Sequence, residues 1–276
     1  MPEPLRVSIV TPCFNAQPLI GETVASVLGQ KAVESGRVRL EYLVCDGAST
    51  DGTVDAIQAF QSPCIKLVSE TDGGMYEALA KGLASASGDI VAYLNAGDYY
   101  HPRAFDVVAD IFGSRSVSWL TGYNVIYNSW GAVTNATLPF RYRTSLFACG
   151  AYGRMLPFVQ QESTFWRREL NQHLDLLELS RLRYAGDAYL WTAFSRRAKL
   201  YVVQAALGGF RFHAGQISEN RGAYRAELRS FTRNPGLLDV ALAGFDRLVW
   251  HMPPQIKKYL NDDAFLQYDH KAGRWR

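Results

Sequence analysis

The sequence predicts an α/β fold built on a mostly parallel central sheet. Across the first hundred residues, short β-branched runs alternate four times with segments whose apolar residues recur at helical spacing. Each run also stops at a cluster of turn-forming residues rich in Asp, Gly, Pro or Asn. Parallel strands need crossovers, and a helix is the usual one.

Val7 to Val10 reads as a buried strand that stops at Pro12, and Ile20, Val24, Val27 and Leu28 mark the helix face that follows. Leu40 to Cys45 is the second strand, ending at Asp46-Gly47, with a short helix over Val54 to Phe60. Ile65 to Ser69 is the third, followed by Asp72-Gly73-Gly74 and a helix carrying Met75, Leu79 and Leu83. Ile90 to Leu94 is the fourth and ends at Asn95-Ala96-Gly97-Asp98. After Phe112 the alternation fails. Trp119 to Trp130 reads as antiparallel strands, Gly186 to Arg197 as a helix and Leu200 to Val203 as a strand. Near the end, Leu238, Leu242, Phe245 and Val249 form an apolar stripe closed by Pro253-Pro254. Lys257, Lys258, Tyr259, Arg274, Trp275 and Arg276 follow.

Composition narrows the function classes. Over 276 residues, 48% are hydrophobic and 20% charged, which excludes a disordered chain. A net charge of +3 gives no argument for nucleic acid. Cys13, Cys45, Cys64 and Cys149 form no CxxC pair and read as reduced thiols of a cytosolic protein. Met1 to Arg6 has no signal-peptide pattern, and Ser116 to Phe140, though uncharged, is too polar to span a membrane.

In open parallel sheets, ligands bind beyond the carboxyl ends of the strands. Here those ends carry Thr11 to Asn15, Asp46, Asp72 and Asp98, so three carboxylates are expected on one rim. Asp and Gly are also simply good turn formers. Thr11 to Asn15 lacks the GxGxxG of a dinucleotide site, and a P-loop is absent. A carboxylate at Asp98 can hold Mg or Mn, hard cations that prefer oxygen.

Seven blocks in order then carry a resemblance. They are Val7 to Asn15, Asp46 to Thr53, Asp72 to Tyr76 and Leu94 to Asp98, then Gln160 to Arg168, then Ala185-Gly186-Asp187 with Gly208 to His213. Together they resemble family 2 glycosyltransferases of the GT-A fold. The resemblance implies a Rossmann-like mostly parallel central sheet with a small antiparallel sheet and a C-terminal helical extension. It implies a catalytic domain over residues 1–220, with a nucleotide-sugar half (1–100) and an acceptor half (101–220), and an extension over 221–276. It also implies a nucleotide-sugar donor, a divalent metal (Mn or Mg) and inversion at the sugar carbon. Thr11, Pro12, Asn15, Asp46 and Asp72 would line the nucleotide pocket, with Lys81 near the diphosphate and Asn95 opening the metal motif. Asp98 would bind the metal and His213 complete that site; Asp187 would be the general base; Gln161, Glu162 and Trp166 would face the acceptor.

Two positions depart from the family pattern. Asn95 and Gly97 stand at the two Asp positions of its Asp-x-Asp metal motif, leaving Asp98 as the one carboxylate and making His213 a more attractive second ligand. Ala80 stands where many relatives carry Asn.

The chemistry asks for the same roles. Glycosyl transfer passes through an oxocarbenium-like state. The departing diphosphate needs a cation, and the incoming hydroxyl needs a base on the opposite face. Each assignment has a plainer alternative. Asp187 is a helix N-cap, His213 a half-buried strand histidine, Glu162 an ion-pair partner of Arg167 or Arg168, Trp166 core, and Lys81 a solvated helix lysine. Asp51 reads as the cap of the helix near Thr53. The C-terminal stripe packs on the catalytic domain or another subunit, or else Trp250, Lys257, Lys258, Trp275 and the arginines rest on an anionic membrane.

The expected function is therefore inverting, metal-dependent transfer of a sugar from a nucleoside diphosphate, UDP foremost, to a glycan or lipid-linked glycan hydroxyl in bacterial surface-polysaccharide synthesis. The expected location is the cytoplasm, with peripheral contact at the inner face of the membrane as the variant. The rival is a non-catalytic nucleotide-sugar-binding subunit. A nucleotidyltransferase ranks last, because Thr11 to Asn15 has no glycine- and arginine-rich loop.

Overall fold

The computed structural model describes residues 3–212, 216 and 219–276. The first part runs β1 (Leu5–Cys13), α1 (Gln17–Leu28), α2 (Lys31–Glu34), β2 (Val38–Asp46), α3 (Thr53–Gln58), β3 (Ile65–Ser69), α4 (Met75–Ser85), β4 (Ile90–Tyr93), β5 (Tyr99–Tyr100) and α5 (Ala104–Ser114). The middle runs β6 (Trp119–Thr121), β7 (Asn124–Tyr127), β8 (Val133–Thr137), α6 (Thr144–Ala148), β9 (Thr164–Arg167), α7 (Leu176–Arg181), α8 (Gly186–Ser195), β10 (Leu200–Val203) and β11 (Gly208–Arg211). The last part is α9 (Arg221–Phe231), α10 (Leu237–Trp250), α11 (Pro254–Leu260), β12 (Phe265–Leu266) and a hairpin of β13 (Tyr268–Asp269) with β14 (Arg274–Trp275).

The central sheet has eight strands in the order β12-β10-β6-β9-β4-β1-β2-β3. The pairs β4-β1, β1-β2 and β2-β3 are parallel, as the alternation predicts. β1 is apolar on both faces, with Val7, Ile9 and Val10 fully buried, because helices cover both sides. α4 sits so close that a Cβ on Gly82 would lie 2.3 Å from Val10 Cγ1. β1 also runs further than expected, through Pro12 to Cys13. Cys13 O accepts from Gly47 N on the β2 side, so Pro12, one residue back, turns its missing N–H toward β4. β4 pairs with β1 only as far as Val10, so no ladder bond is lost there.

The chain runs from β1 outward to β3 and then returns to the other side of β1 at β4. That reversal opens a crevice beyond the carboxyl ends of β1 and β4, the usual ligand position in such sheets. β9 then enters antiparallel between β4 and β6, which ends the alternating pattern. A second sheet, β5-β11-β7-β8, walls the crevice. β11-β5 and β7-β8 are antiparallel but β11-β7 is parallel, so this small sheet is mixed. The C-terminal part is largely helical and also returns a strand to the central sheet, β12 beside β10.

Candidate active site

The donor side of the crevice is held by carboxylates that are already occupied. Buried Asp46 ends β2 and accepts from Ser49 N–H at 2.9 Å, from Ser69 Oγ at 2.6 Å and from the Ser49 hydroxyl. Burial pushes its pKa up, but these donors outweigh burial and hold it below the usual carboxylate range. Asn15 has a φ of 46°, and its Oδ1 accepts from Thr50 N–H at 3.0 Å. Asp51 accepts from the N–H groups of Gln17 and Thr53, stapling the first turns of α1 and α3, although the cap residue of α3 is Gly52 rather than Asp51. Asp72 is different. Its Oδ1 accepts from Gly74 N–H at 2.8 Å, while burial raises its pKa. It lies over Gly47, where a Cβ would sit 3.1 Å from Asp72 Oδ2 and 3.3 Å from the exposed ring of Phe14.

Across the crevice lies a second group of acids with few partners. Asp98 is buried beneath β11, whose Arg211 N–H donates to its Oδ1 at 2.8 Å. Its carboxyl hydrogen-bonds Glu162, and burial followed by the Glu162 charge pushes Asp98 far above the usual range. Burial likewise raises Glu162, to about 7. Burial therefore disfavours the charged form of both carboxyls. Gly208 makes this possible, since a Cβ there would lie 2.1 Å from Glu162 O. Arg167 and Arg168 spend their guanidinium groups on the carbonyls of Val117, Phe112 and Gly88, so neither pairs with Glu162. Gln161 bonds Tyr93 O and accepts from Asn95 Nδ2 at 3.2 Å, leaving Asn95 Oδ1 buried without a partner.

Asp187 completes the group, close enough to Glu162 for its charge to raise that carboxyl. Ala185, not Asp187, is the cap residue of α8, and Asp187 sits in the first turn with Oδ1 enclosed and unpaired. Burial lifts its pKa to about 6 against hydrogen bonds from the Ala188 N–H and the Tyr224 hydroxyl. The small residues before it do not leave a void. Gly186 is pressed against the Tyr76 ring, 2.4 Å from the position a Cβ would take, and Tyr76 Oη meets Asp187 N at 3.4 Å. Tyr76 lies in the first turn of α4, just after Asp72, and so links the Asp72 loop to Asp187.

Sequence reasoning missed the contribution of α9. Glu227 accepts from the N–H groups of Arg183, Tyr184 and Ala185 at 2.7, 2.7 and 2.6 Å, fixing the loop that presents Asp187. Tyr224, one turn earlier, touches the Asp187 carboxyl. Tyr-x-x-Glu on an amphipathic helix was the available signal, but it resembles any packed helix. Phe14, exposed between two buried blocks, was a readable signal for an aromatic at the rim.

Three expected residues lie apart from the cleft. Thr11 is fully buried with its hydroxyl on Tyr42 at 3.1 Å. Trp166 is core, packed on Tyr93, Trp191 and Phe194, with Nε1–H on Asn171 at 2.8 Å. Lys81 pairs with Glu70 at 2.9 Å and Glu77 at 3.1 Å on the outer side of α4. Pro12 is buried at the end of β1, and His213 lies outside the described residues.

The sequence pattern of glycosyl transferase family 2 matches residues 8–167, more than half the chain. The chain belongs to this family. Among curated relatives, an uncharacterized glycosyltransferase of Mycobacterium tuberculosis, Rv1514c, is 34% identical over 45% of this chain and 44% of its own length. The putative teichuronic acid biosynthesis glycosyltransferase TuaG of Bacillus subtilis is 31% identical over 44% and 47%. The Escherichia coli UDP-Glc:α-D-GlcNAc-diphosphoundecaprenol β-1,3-glucosyltransferase WfgD is 29% identical over 52% and 56%. The chain thus spans about half the length of the curated relatives it matches. Staphylococcus aureus TarS 1–349, solved with UDP-GlcNAc, shares the fold with a TM-score of 0.61 at 15% identity, over 92% of this chain and 70% of that one. The Pyrobaculum calidifontis mannosyltransferase PcManGT, solved with GDP-Man and Mn2+, gives 0.59 at 16%, over 95% and 74%. The fold is the GT-A fold of these glycosyltransferases.

A divalent cation is common among such relatives, and the residues at Asp98 fit one in kind. The Asp98 and Glu162 carboxyls and the unpartnered amide oxygen of Asn95 are hard oxygen donors. Among the described residues no cluster of three His, Cys, Asp or Glu forms a complete metal site.

Proposed function

We propose that this family 2 chain transfers a sugar from a nucleoside diphosphate to a glycan hydroxyl, with inversion, in bacterial surface-polysaccharide synthesis. The proximity of Asp98, Glu162 and Asp187, joined to the Asp72 loop through Tyr76 on Gly186, carries this reading. Asp187 is the base: its enclosed oxygen is unpaired, and a pKa of about 6 leaves it ionised yet basic at neutral pH. Glu162 lies between Asp187 and Asp98 and would hold an acceptor hydroxyl by hydrogen bonding. Asp98, with Glu162 and Asn95, would hold a divalent cation, which when bound neutralises charge on the diphosphate. Phe14 and Asp72 would receive the base and ribose of the nucleotide. UDP is the donor that WfgD and TarS suggest. A lipid-linked diphosphate glycan is the acceptor class WfgD suggests.

The test is direct. The purified chain is incubated with UDP-glucose, UDP-N-acetylglucosamine or GDP-mannose, with and without Mn2+, and with a synthetic polyprenyl-diphosphate sugar. A product whose new anomeric centre is inverted by NMR supports the proposal. Nucleotide-sugar binding with neither transfer nor slow donor hydrolysis would replace it with the non-catalytic binding subunit.

A further inference from the structure

α10 is turned inside out for a surface helix. Its two carboxylates face the protein, Asp239 paired with Arg233 at 2.5 Å and fully buried Asp246 with Arg143 at 2.7 Å. Its large apolar side chains face out: Leu237 is 92% exposed, Leu238 72%, Leu248 68% and Phe245 47%. Val240, Met252, Ile256 and Tyr259 extend this exposed surface into α11. Leu242, Val249 and Trp250 meanwhile pack inward, so the helix is apolar on both faces, a pattern that fits a helix covered all round. Of the basic and aromatic residues expected on a membrane, Arg274 and Arg276 are exposed but three others turn inward. Trp250 and Lys257 are buried, with Lys257 Nζ on Leu138 O at 2.6 Å, and Lys258 reaches inward to Phe265 O.

We propose that the outer face of α10, continued by α11, is an interfacial docking surface for an anionic phospholipid bilayer. Charge selects this occupant. The one charged side chain exposed on α10 is the cation Arg247, because both acids are consumed inside. α9, tied to the start of α10 by the Arg233–Asp239 pair, adds exposed Arg221, Arg225 and Arg229, spaced one turn apart. Apolar side chains with neighbouring arginines suit insertion at the headgroup boundary of negatively charged lipid. A second copy packed α10 against α10 would offer Arg247 no carboxylate from that helix, since both its acids are turned inward. At 14 residues α10 is about 21 Å long, enough to lie on a membrane and too short to cross it. Among the described residues no helix is long and apolar enough to span one. The docking helix follows α9 directly, so it would bring the cleft that α9 braces close to the membrane.

Sedimentation of the full chain with vesicles tests this without donor or acceptor. Vesicles of phosphatidylcholine with one-third phosphatidylglycerol should carry the protein down, and pure phosphatidylcholine should do so roughly tenfold less well. Leu238→Glu with Leu248→Glu should reduce partitioning at least tenfold while leaving circular dichroism unchanged, since both side chains are well exposed. Transfer to a soluble acceptor should be unaffected, which separates this proposal from the one above. Equal sedimentation of wild type and double variant overturns it. So does a concentration-dependent dimer without vesicle binding that the same variant abolishes.

Discussion

The two sides of the crevice use acidic residues in opposite ways. On the donor side, Asp46 and Asp51 are saturated with hydroxyl and N–H donors and held ionised below the usual range. On the other side, Asp98, Glu162 and Asp187 are enclosed, sparsely bonded and pushed up by burial. A saturated carboxylate has its lone pairs committed and works as scaffold. One left underbonded in a low-dielectric site gains most from taking a proton or a cation. Asp72, on the same rim as Asp46 but with one donor and a raised pKa, sorts with the second group, so the number of hydrogen-bond donors rather than the rim separates structure from chemistry.

The sharpest way to break this contrast is to exchange the two kinds of acid. Asp187→Asn should lower kcat by about 10²–10⁴ while calorimetric donor affinity stays within twofold. Asp46→Asn keeps the shape but weakens a saturated carboxylate, and should appear mainly in thermal unfolding. Near-normal turnover by Asp187→Asn would remove the base assignment.

Next in size is the brace on the loop before α8. Glu227→Ala strands three backbone N–H groups and should cost about 1–3 kcal/mol in denaturant unfolding. It should also reduce kcat more than KM changes, because the loop that aims Asp187 loosens. A stability loss with full kcat would make Glu227 purely structural.

The pH profile sharpens the comparison further. Asp187 must be ionised to accept a proton, so kcat/KM should rise through about pH 6 and level above it. Tyr224→Phe removes a donor that favours the charged form, so this acidic limb should move to higher pH. A limb that stays put would exclude the hydroxyl as a tuner of the base.

The smallest effect belongs to Lys81. Its partners Glu70 and Glu77 are surface groups, so Lys81→Ala should change stability by less than about 1 kcal/mol. If the lysine does reach the diphosphate, donor Kd should rise severalfold instead.

What could be read in the chain follows the same division. β1 to β4 were legible because each is a local apolar run closed by a turn, and parallel packing needs little else. Asp46 and Asp72 were visible for the same reason. β9 was not, because its antiparallel insertion between β4 and β6 depends on partners that lie 70 and 40 residues or so upstream, and no local pattern encodes that. Trp166 resembled a sugar-facing aromatic, yet its place on β9 puts it in the core against Tyr93. The packing of Tyr76 on Gly186 and of Glu227 on the 183–185 loop joins segments about a hundred and about forty residues apart. Such pairs are created by folding and leave no mark on either segment alone.

The central sheet is finished by Phe265–Leu266, far beyond every site residue named above. A nascent polypeptide stalled after α9 would hold the whole catalytic cleft yet present the unpaired flank of β10 to its neighbours on the polysome. β12 and the helices α10 and α11 therefore reach the sheet only after every cleft residue has been made. Shortened versions that look enzymatically sufficient should need a chaperone to stay in solution.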